Sequence, residues 1–249
     1  MKKQELSKDI THYMFDPRPG QVWGTNATVI LNGDKAILID TGYETQTPVL
    51  LEELASSNIT VETVIITHFH DDHMEGLKTF PGIPVYGSAR FREALEKYTP
   101  KGDHKYFTPT IPVSKPKTIV FGEHTITMIP FPGHSECTML VKINDEFVHV
   151  ADEVFFSDDG KLLLPCLDGK SEIPRQLKSL NKLKDYSGFT IIPGHGMAFG
   201  GDGLIGAIEN LCTYLKAVSE SSDAISFEDA TRDCNDTFVY GIFHEGNCK

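Results

Sequence analysis

Four side chains that commonly bind metal ions are concentrated in one short stretch of the sequence. His68, His70, Asp72 and His73 lie within six residues, directly after the apolar run 64–66. Neutral imidazole and carboxylate groups are preferred ligands of zinc and of neighbouring transition metals. Their concentration at the end of a predicted buried strand therefore indicates a metal centre.

The spacing within this stretch favours two metal ions. His68 and His70 are one residue apart, which suits an extended segment, because facing side chains on a helix lie three or four residues apart. Asp72 and His73 are adjacent, so they point in different directions and cannot easily join the first pair. The simplest arrangement is one ion for each pair, and each ion then needs further ligands from elsewhere in the chain.

Three more candidates follow at wide spacing, each after a predicted strand. His134 stands in Phe-Pro-Gly-His-Ser after the strand-like run 125–129, and Asp152 follows the apolar run 147–151. His195 stands in Ile-Ile-Pro-Gly-His-Gly. Strands that end at one edge of a sheet can bring ligands that are distant in sequence into a single site.

This pattern resembles the metallo-β-lactamase superfamily of dinuclear hydrolases. Its signature is His-x-His-x-Asp-His followed by a His, an Asp and a His, and the segment Leu-Ile-Asp-Thr-Gly at 38–42 is similar to the strand before that family's first helix. The resemblance covers roughly residues 22 to 200. It implies an α/β fold, the four-layer αβ/βα sandwich, with two central sheets, outer helices and metals at one edge.

The resemblance also assigns roles to the candidates. It implies two sets of three ligands and one shared ligand: His68, His70 and His134 for one ion, Asp72, His73 and His195 for the other, and Asp152 for both. A hydroxide between the ions is the implied nucleophile, because zinc lowers the pKa of a bound water from about 15.7 to near 7. Asp72 would border it and could also pass a proton. We expect two divalent ions, most simply zinc, with manganese or iron also compatible.

Composition predicts one enzyme domain. The chain has 249 residues, 40% of them hydrophobic, which is enough for one sizeable core. We expect a single domain over 1–249, with a C-terminal tail over 221–249 whose packing the sequence does not predict. The net charge of −12 argues against a nucleic-acid partner, since phosphate attraction needs a basic surface.

The same sequence predicts a cytoplasmic protein without a membrane partner. Residues 1–10 are basic but lack the apolar segment of a secretory signal, and no apolar run approaches the roughly 20 residues that span a bilayer. The five cysteines are odd in number and form no Cys-x-x-Cys pair. Nothing in the sequence predicts an oligomeric state.

Hydrophobic periodicity predicts alternating strands and helices around these ligands. Strands are expected over 22–31, 35–40, 61–67, 85–88, 117–121, 124–129, 137–143, 146–150 and 189–192, with Asn32-Gly33 as a hairpin turn. Helices are expected over 47–57, 74–80, 88–98, 173–184 and 203–220. The proline-rich stretch 98–116 is predicted to be a long loop. Asp40 is expected either to orient a ligand imidazole or to close a turn.

The predicted substrate is a small molecule with an ester, thioester or lactone bond. Asp152 stands where the antibiotic-hydrolysing branch of the family often has cysteine, and Phe155 stands where lactonases have tyrosine. Met197 replaces a tyrosine of the glyoxalase II branch. Candidate substrate contacts are mostly aromatic, with two basic groups for a carboxylate: Trp23, Phe69, Tyr106, Phe155 and Phe156, with Lys161 or Arg175.

Three alternative functions remain open. One is hydrolysis of β-lactams, and another is a binding protein that retains its metals without turnover. The third is a di-iron oxidoreductase, although such relatives replace the second histidine of the cluster by glutamate and lack its last histidine. His70 and His73 are both present in this chain.

Overall fold

Two β-sheets form the centre of the structure, a computed structural model that describes residues 1–235, 238 and 241–249. The first sheet has seven strands that neighbour one another in chain order: β1 (Lys2–Ser7), β2 (Ile10–Met14), β3 (Asn26–Asn32), β4 (Lys35–Ile39), β5 (Thr60–Ile65), β6 (Val85–Ser88) and β7 (Ile111–Val113). The strands β1 to β4 pair antiparallel, and β4 to β7 pair parallel.

The second sheet has six strands: β8 (Lys117–Phe121), β9 (His124–Pro130), β10 (Met139–Ile143), β11 (Phe147–His149), β12 (Thr190–Ile192) and β13 (Phe199–Gly200). They also neighbour one another in chain order. All pairs are antiparallel except β11 with β12, which run parallel because a long crossover connects them.

The helices are α1 (Thr47–Ser56), α2 (Asp71–Met74), α3 (Phe91–Tyr98), α4 (His104–Phe107), α5 (Ile173–Leu183), α6 (Gly201–Glu220), α7 (Phe227–Ala230) and α8 (His244–Asn247). Short 3₁₀ helices cover Glu75–Thr79, Lys170–Glu172, Lys184–Tyr186 and Gly241–Phe243. The helices α1 and α3 pack with the first sheet, and α5 and α6 pack with the second.

Alternation of side chains along the strands separates three cores. Ile39 and Ile65 of the first sheet pack with Val141 of the second, between the sheets. Leu38 and Val64 point to the opposite face and pack with α1 and α3. The four predicted layers, helix, sheet, sheet and helix, are therefore confirmed. The single-domain organisation stays a prediction.

Three regions depart from the predicted elements. The strands β1 and β2 precede the predicted ones, and their signal is weak because half of β1 is exposed and charged. The predicted loop 98–116 contains α4 and β7. The helix expected from residue 74 begins at Asp71, so Asp72 and His73 lie on a first helical turn.

The C-terminal segment, whose packing was not predicted, is attached to the second half of the molecule. The side-chain amide of Asn247 donates to the carbonyl of Pro165 at 2.8 Å and accepts from the backbone N–H of Leu167 at 3.0 Å. His244 lies 3.0 Å from the hydroxyl of Tyr214 on α6. Among the described residues, no helix is both long and apolar enough to cross a membrane.

Candidate metal centre

The seven predicted ligands meet at one edge of the sandwich. His68 and His70 lie in the extended segment that follows β5, and α2 begins immediately afterwards. His134 follows β9, Asp152 follows β11 and His195 follows β12. Each sheet therefore supplies part of the cluster through segments that leave its strands at the same edge.

Asp152 lies at the centre of the cluster. Its Oδ2 atom lies between 3.1 and 3.8 Å from the Nε2 atoms of four imidazoles: His195 (3.1 Å), His73 (3.4 Å), His68 (3.7 Å) and His134 (3.8 Å). This position is compatible with a carboxylate shared by two ions.

Three sets of donor atoms are close enough to hold an ion. In each set the atoms lie within 4.8 Å of one another: His68, His70 and His134; His68, His73 and Asp152; Asp72, His73 and His195. The first and last sets are the two that the family resemblance implied. The ligand role of these residues stays a prediction.

The chemistry of the donor atoms fits a cation. His68 Nε2, His73 Nε2 and Asp152 Oδ1 are buried without a hydrogen-bond partner among the described residues, although buried polar atoms normally have one. The Nε2 atom of His134 lies 3.1 Å from Nδ1 of His70, and burial lowers the pKa of His134 to about 3. A neutral His134 offers a lone pair there, and a cation would satisfy these convergent acceptors.

The charge of the central carboxylate is also favoured. Burial opposes ionisation of Asp152, but the positive charges that His195 and His73 carry when protonated outweigh that cost. They hold the pKa of the carboxyl well below its usual range. Asp152 is therefore an anion in the middle of a buried cluster, the form in which a carboxylate binds a metal.

Buried hydrogen bonds orient several of the imidazoles from behind. Asp40 Oδ2 accepts from Nδ1 of His73 at 2.9 Å and from the hydroxyl of Thr67 at 2.7 Å, and that hydroxyl lies 3.1 Å from Nδ1 of His68. His195 donates from Nδ1 to the carbonyl of Gly24 at 2.8 Å. These bonds direct the Nε2 atoms toward the centre, as in metal sites generally. Of the two roles predicted for Asp40, the structure is consistent with the first.

Gly194, in the Pro-Gly-His turn, lies too close to the predicted ligands to carry a side chain. A Cβ atom at this position would lie 2.1 Å from Asp152 Oδ1 and 2.8 Å from Cε1 of His73. Any other side chain would therefore displace two members of the cluster. The backbone of this turn can approach the ligands so closely because glycine has no side chain.

A cavity of about 440 Å³ opens on this cluster. Its walls include Trp23, one of the candidate substrate contacts, together with aromatic and polar residues that sequence reasoning did not single out: Gln21, Tyr43, Tyr98, Cys166 and Asp168. The ring of Tyr98 lies 5.0 Å from that of His70, edge to face, and its hydroxyl donates to Asp168. Burial raises the pKa of Tyr98 to about 12, so the phenol keeps its proton.

Two of the predicted aromatic contacts lie away from this cavity. Phe69 is completely buried and packs against Phe91 at 5.7 Å, beneath the ligand segment. It points away because neighbours in an extended segment face opposite sides, and His68 and His70 face the centre. Tyr106 lies on the surface of α4, where its ring is near the ammonium group of Lys78.

Phe155 and Phe156 also face opposite sides. The ring of Phe155 lies 5.5 Å from that of His195 and 6.4 Å from that of His134, so it does face the ligand cluster. Phe156 instead lines a separate cavity of about 760 Å³ with Met197. The predicted contact of Phe156 with the same substrate therefore does not match its position.

The two basic candidates also differ. Lys161 lies on an exposed turn, with its ammonium group 3.9 Å from Asp159, away from the metal-side cavity. Arg175 lines that cavity, where its guanidinium donates to Glu136 at 3.1 Å. The C-terminal segment adds a contact that the sequence did not predict, since Phe243 packs on both Trp23 and Phe155.

Sequence reasoning also missed Glu153, which follows the central aspartate directly. This carboxyl is 1% exposed, and burial raises its pKa to about 7. It accepts from the backbone N–H of His134 at 2.8 Å. The sequence signal for Glu153 was its position directly after Asp152. An acid that is buried beside a ligand needs hydrogen-bond partners of its own.

Comparison with known proteins finds relatives over most of the chain. The sequence profile described as "Metallo-beta-lactamase superfamily" matches residues 20–195. A curated relative, "Beta-lactamase-like protein 2 homolog" of Caenorhabditis elegans, is 29% identical over 210 residues, which are 78% of this chain and 63% of that protein. "Atrochrysone carboxyl ACP thioesterase" of Aspergillus fumigatus is 25% identical over 73% of this chain and 53% of its own length.

Solved structures show the same fold. "Metallo-beta-lactamase from Pontibacter korlensis" superposes with a TM-score of 0.66 at 17% identity, covering 84% of this chain and 99% of that one. At this identity the likeness concerns the fold alone. The chain spans about three fifths of the length of the first curated relatives that it matches.

Proposed function

Because the chain belongs to the metallo-β-lactamase superfamily, we propose that it is a metal-dependent hydrolase that cleaves a small ester, thioester or lactone. The observation that carries this proposal is the convergence of seven side chains on one point below an open cavity. Three of their buried atoms, His68 Nε2, His73 Nε2 and Asp152 Oδ1, lack hydrogen-bond partners within the described chain, which is costly unless a cation is bound.

We propose two divalent ions, most simply zinc, held by the two outer ligand sets with Asp152 between them. When bound, such ions act as Lewis acids and lower the pKa of water, so that hydrolysis needs no serine or cysteine nucleophile. Asp72 Oδ2 lies 3.5 Å from Nε2 of His195, and the side chain remains 19% exposed toward solvent. We therefore assign Asp72 the additional role of accepting or passing a proton.

The cavity supports a small acyl substrate. Its volume of about 440 Å³ is within the usual range for small-ligand sites, and Trp23 and Tyr98 supply flat apolar walls. Phe155 faces the ligand cluster without a hydroxyl group. A thiolate leaving group needs less protonation than an alkoxide, since a cysteine thiol has a pKa near 8.5. We therefore favour thioesters or activated esters, and the thioesterase name of the Aspergillus relative is consistent with this choice.

A substrate panel with controlled metal content tests the proposal. The chelator-stripped protein is loaded with zinc, manganese or iron and assayed against matched esters and thioesters, lactones, β-lactams and phosphodiesters. We expect about two ions per chain and the highest kcat/KM on a thioester or activated ester. Asp72→Asn, which keeps the side-chain volume, is the control for contaminating hydrolases.

The remaining outcomes identify the alternatives. Two bound ions without turnover of any substrate would indicate a binding protein. Turnover of β-lactams above esters would move the chain to the antibiotic-hydrolysing class. Iron-dependent oxygen consumption would indicate an oxidoreductase. Each of these results would contradict the proposed esterase or thioesterase activity.

A further inference from the structure

One peptide group near the centre is held at both of its polar atoms. The carbonyl of Gly133 accepts from Nε of Arg175 at 2.8 Å. The N–H of His134, which belongs to the same peptide bond, donates to Oε1 of Glu153 at 2.8 Å. Because a peptide group is planar, two opposed hydrogen bonds fix its orientation, and with it the direction of the His134 side chain.

The acceptor on one side of this peptide group is itself held rigidly. Glu153 Oε2 accepts from the hydroxyl of Ser179 at 2.6 Å and from the side-chain amide of Gln176 at 3.3 Å. Ser179, Gln176 and Arg175 all lie on α5. A Cβ atom on Gly133 would lie 2.1 and 2.3 Å from the two carboxylate oxygens of Glu153, so only glycine allows this approach.

His134 differs from other imidazoles of the cluster in the hydrogen bond that orients its ring. His73 has Asp40 at Nδ1, and His195 has the carbonyl of Gly24 there. The Nδ1 atom of His134 has no hydrogen-bond partner among the described residues. Its ring orientation therefore depends on the backbone that carries it and on the neighbouring rings of His70 and Phe155.

We propose that Glu153 and Arg175 clamp the Gly133–His134 peptide group and thereby position His134 for the ion that His68 and His70 also bind. Both are positioning residues, because the clamp acts through the backbone of His134. The proposal rests on the dinuclear centre proposed above, and it predicts that the clamp supports only one of the two ion sites. Asp40 orients His73 directly and reaches His68 through the Thr67 hydroxyl, and the carbonyl of Gly24 orients His195, whereas the clamp acts on His134 alone.

A Co²⁺ titration of the chelator-stripped full chain tests the clamp. Visible absorption reports the binding and geometry of each ion without any need for activity. Glu153→Leu removes the acceptor of the His134 N–H and keeps a side chain of similar size, so one side of the clamp is lost. We expect about 10- to 100-fold weaker binding at the site of His134, with an altered spectrum, and unchanged binding at the other site.

Two further variants separate positioning from general damage. Ser179→Ala leaves the bond from His134 to Glu153 in place but frees the carboxylate, so it should weaken the same site by a smaller factor. Leu180→Ala removes a buried side chain from the same helix. It should lower thermal stability and leave both Co²⁺ affinities unchanged.

Equal weakening of both sites in Glu153→Leu, weakening only at the site of His73 and His195, or wild-type affinity at both would overturn the proposal. If Glu153→Leu does not fold, Ser179→Ala decides by the same criterion. The outcome is independent of substrate turnover. An inactive wild-type protein with two bound ions would contradict the proposed hydrolase, whereas an unselective loss of Co²⁺ would contradict the clamp.

Discussion

The floor and the mouth of the metal-side cavity are held by different kinds of interaction. The floor consists of buried ligands with hydrogen bonds behind them, such as those from Asp40, which is 0% exposed. The mouth is lined by ion pairs and a hydrogen bond between partly exposed side chains. Lys97 and Tyr98 of α3 both contact Asp168, and Arg90 contacts Glu136.

This difference predicts where the molecule tolerates change. Removing one partner of a buried polar pair costs several kcal/mol, whereas an exposed ion pair contributes about 1 kcal/mol or less. Substitutions among the floor residues should therefore destabilise the fold strongly, in this chain and in any relative that uses the same ligands. The mouth can vary at little cost to the fold, so substrate preference is expected to depend on it.

The largest effect is expected at Asp40, which accepts three hydrogen bonds beneath the ligands. Asp40→Ala removes the acceptor for His73, for the Thr67 hydroxyl and for the Thr67 backbone N–H. We expect a loss of about 3–5 kcal/mol in the free energy of unfolding of metal-free protein, measured with denaturant. Asp40→Asn, which suits the left-handed backbone at φ 56°, should lose less. A loss below about 1 kcal/mol in Asp40→Ala would remove the contrast with the mouth.

The next effect separates chemistry from stability within the floor. Asp72→Ala should lose the ion shared with His73 and His195, and kcat/KM should fall more than about 100-fold, since even outer partners of ligands cost 10- to 100-fold. The fold should survive, because the Asp72 side chain is partly exposed. Metal analysis and kinetics decide the matter. Full metal content with unchanged turnover would show that Asp72 is not a ligand.

A smaller change is expected where the floor meets the substrate. Phe155→Tyr adds a hydroxyl group to a ring that faces His195 and His134. Because an alkoxide leaving group needs a proton donor more than a thiolate does, kcat/KM should rise for alkyl esters or lactones relative to matched thioesters. The measurement compares both substrates in both proteins. An unchanged ester-to-thioester ratio would exclude Phe155 from the reacting region.

The smallest effect on stability is expected at the mouth. Lys97→Met keeps most of the side-chain length and removes the ion pair with Asp168, so unfolding should change by about 1 kcal/mol or less. We expect KM to change more than kcat, because α3 lines the cavity and holds no predicted ligand. Lys142→Met, at an ion pair on the second sheet, is the matched control. A large fall in kcat with unchanged KM would show that Lys97 acts on the reaction step, as expected for the floor residues, and not on substrate binding.

The floor could be predicted from sequence because its chemistry restricts residue types. Few residues bind transition metals, so His68 to His73 indicated a site before any fold was known, and strand ends indicated that His134 and His195 would join it. The mouth gave no such signal. Tyr98 and Asp168 are ordinary residues 70 positions apart, and only the packing of α3 against the 165–168 segment brings them together.

Two of the predicted substrate contacts lie away from the cavity for the same reason. Phe69 and Phe156 are aromatic neighbours of residues that face the cluster, and neighbours in extended segments point to opposite faces. Applying that alternation to His68 and His70 would have excluded Phe69. The strands β1 and β2 could not be predicted by the same reasoning, because an exposed edge strand such as β1 shows little apolar alternation.

Because the predicted ligands come from both sheets, bound ions would also affect the stability of the folded protein. The ions would join segments that leave β5 to others that leave β11 and β12, so the two halves cannot separate while both ions stay bound. A ligand that binds only the folded state adds about 2.7 kcal/mol at a free concentration 100 times its Kd. Metal supply would then govern the lifetime of the folded chain as well as its activity, and a cell short of the ion would lose the protein itself to proteolysis.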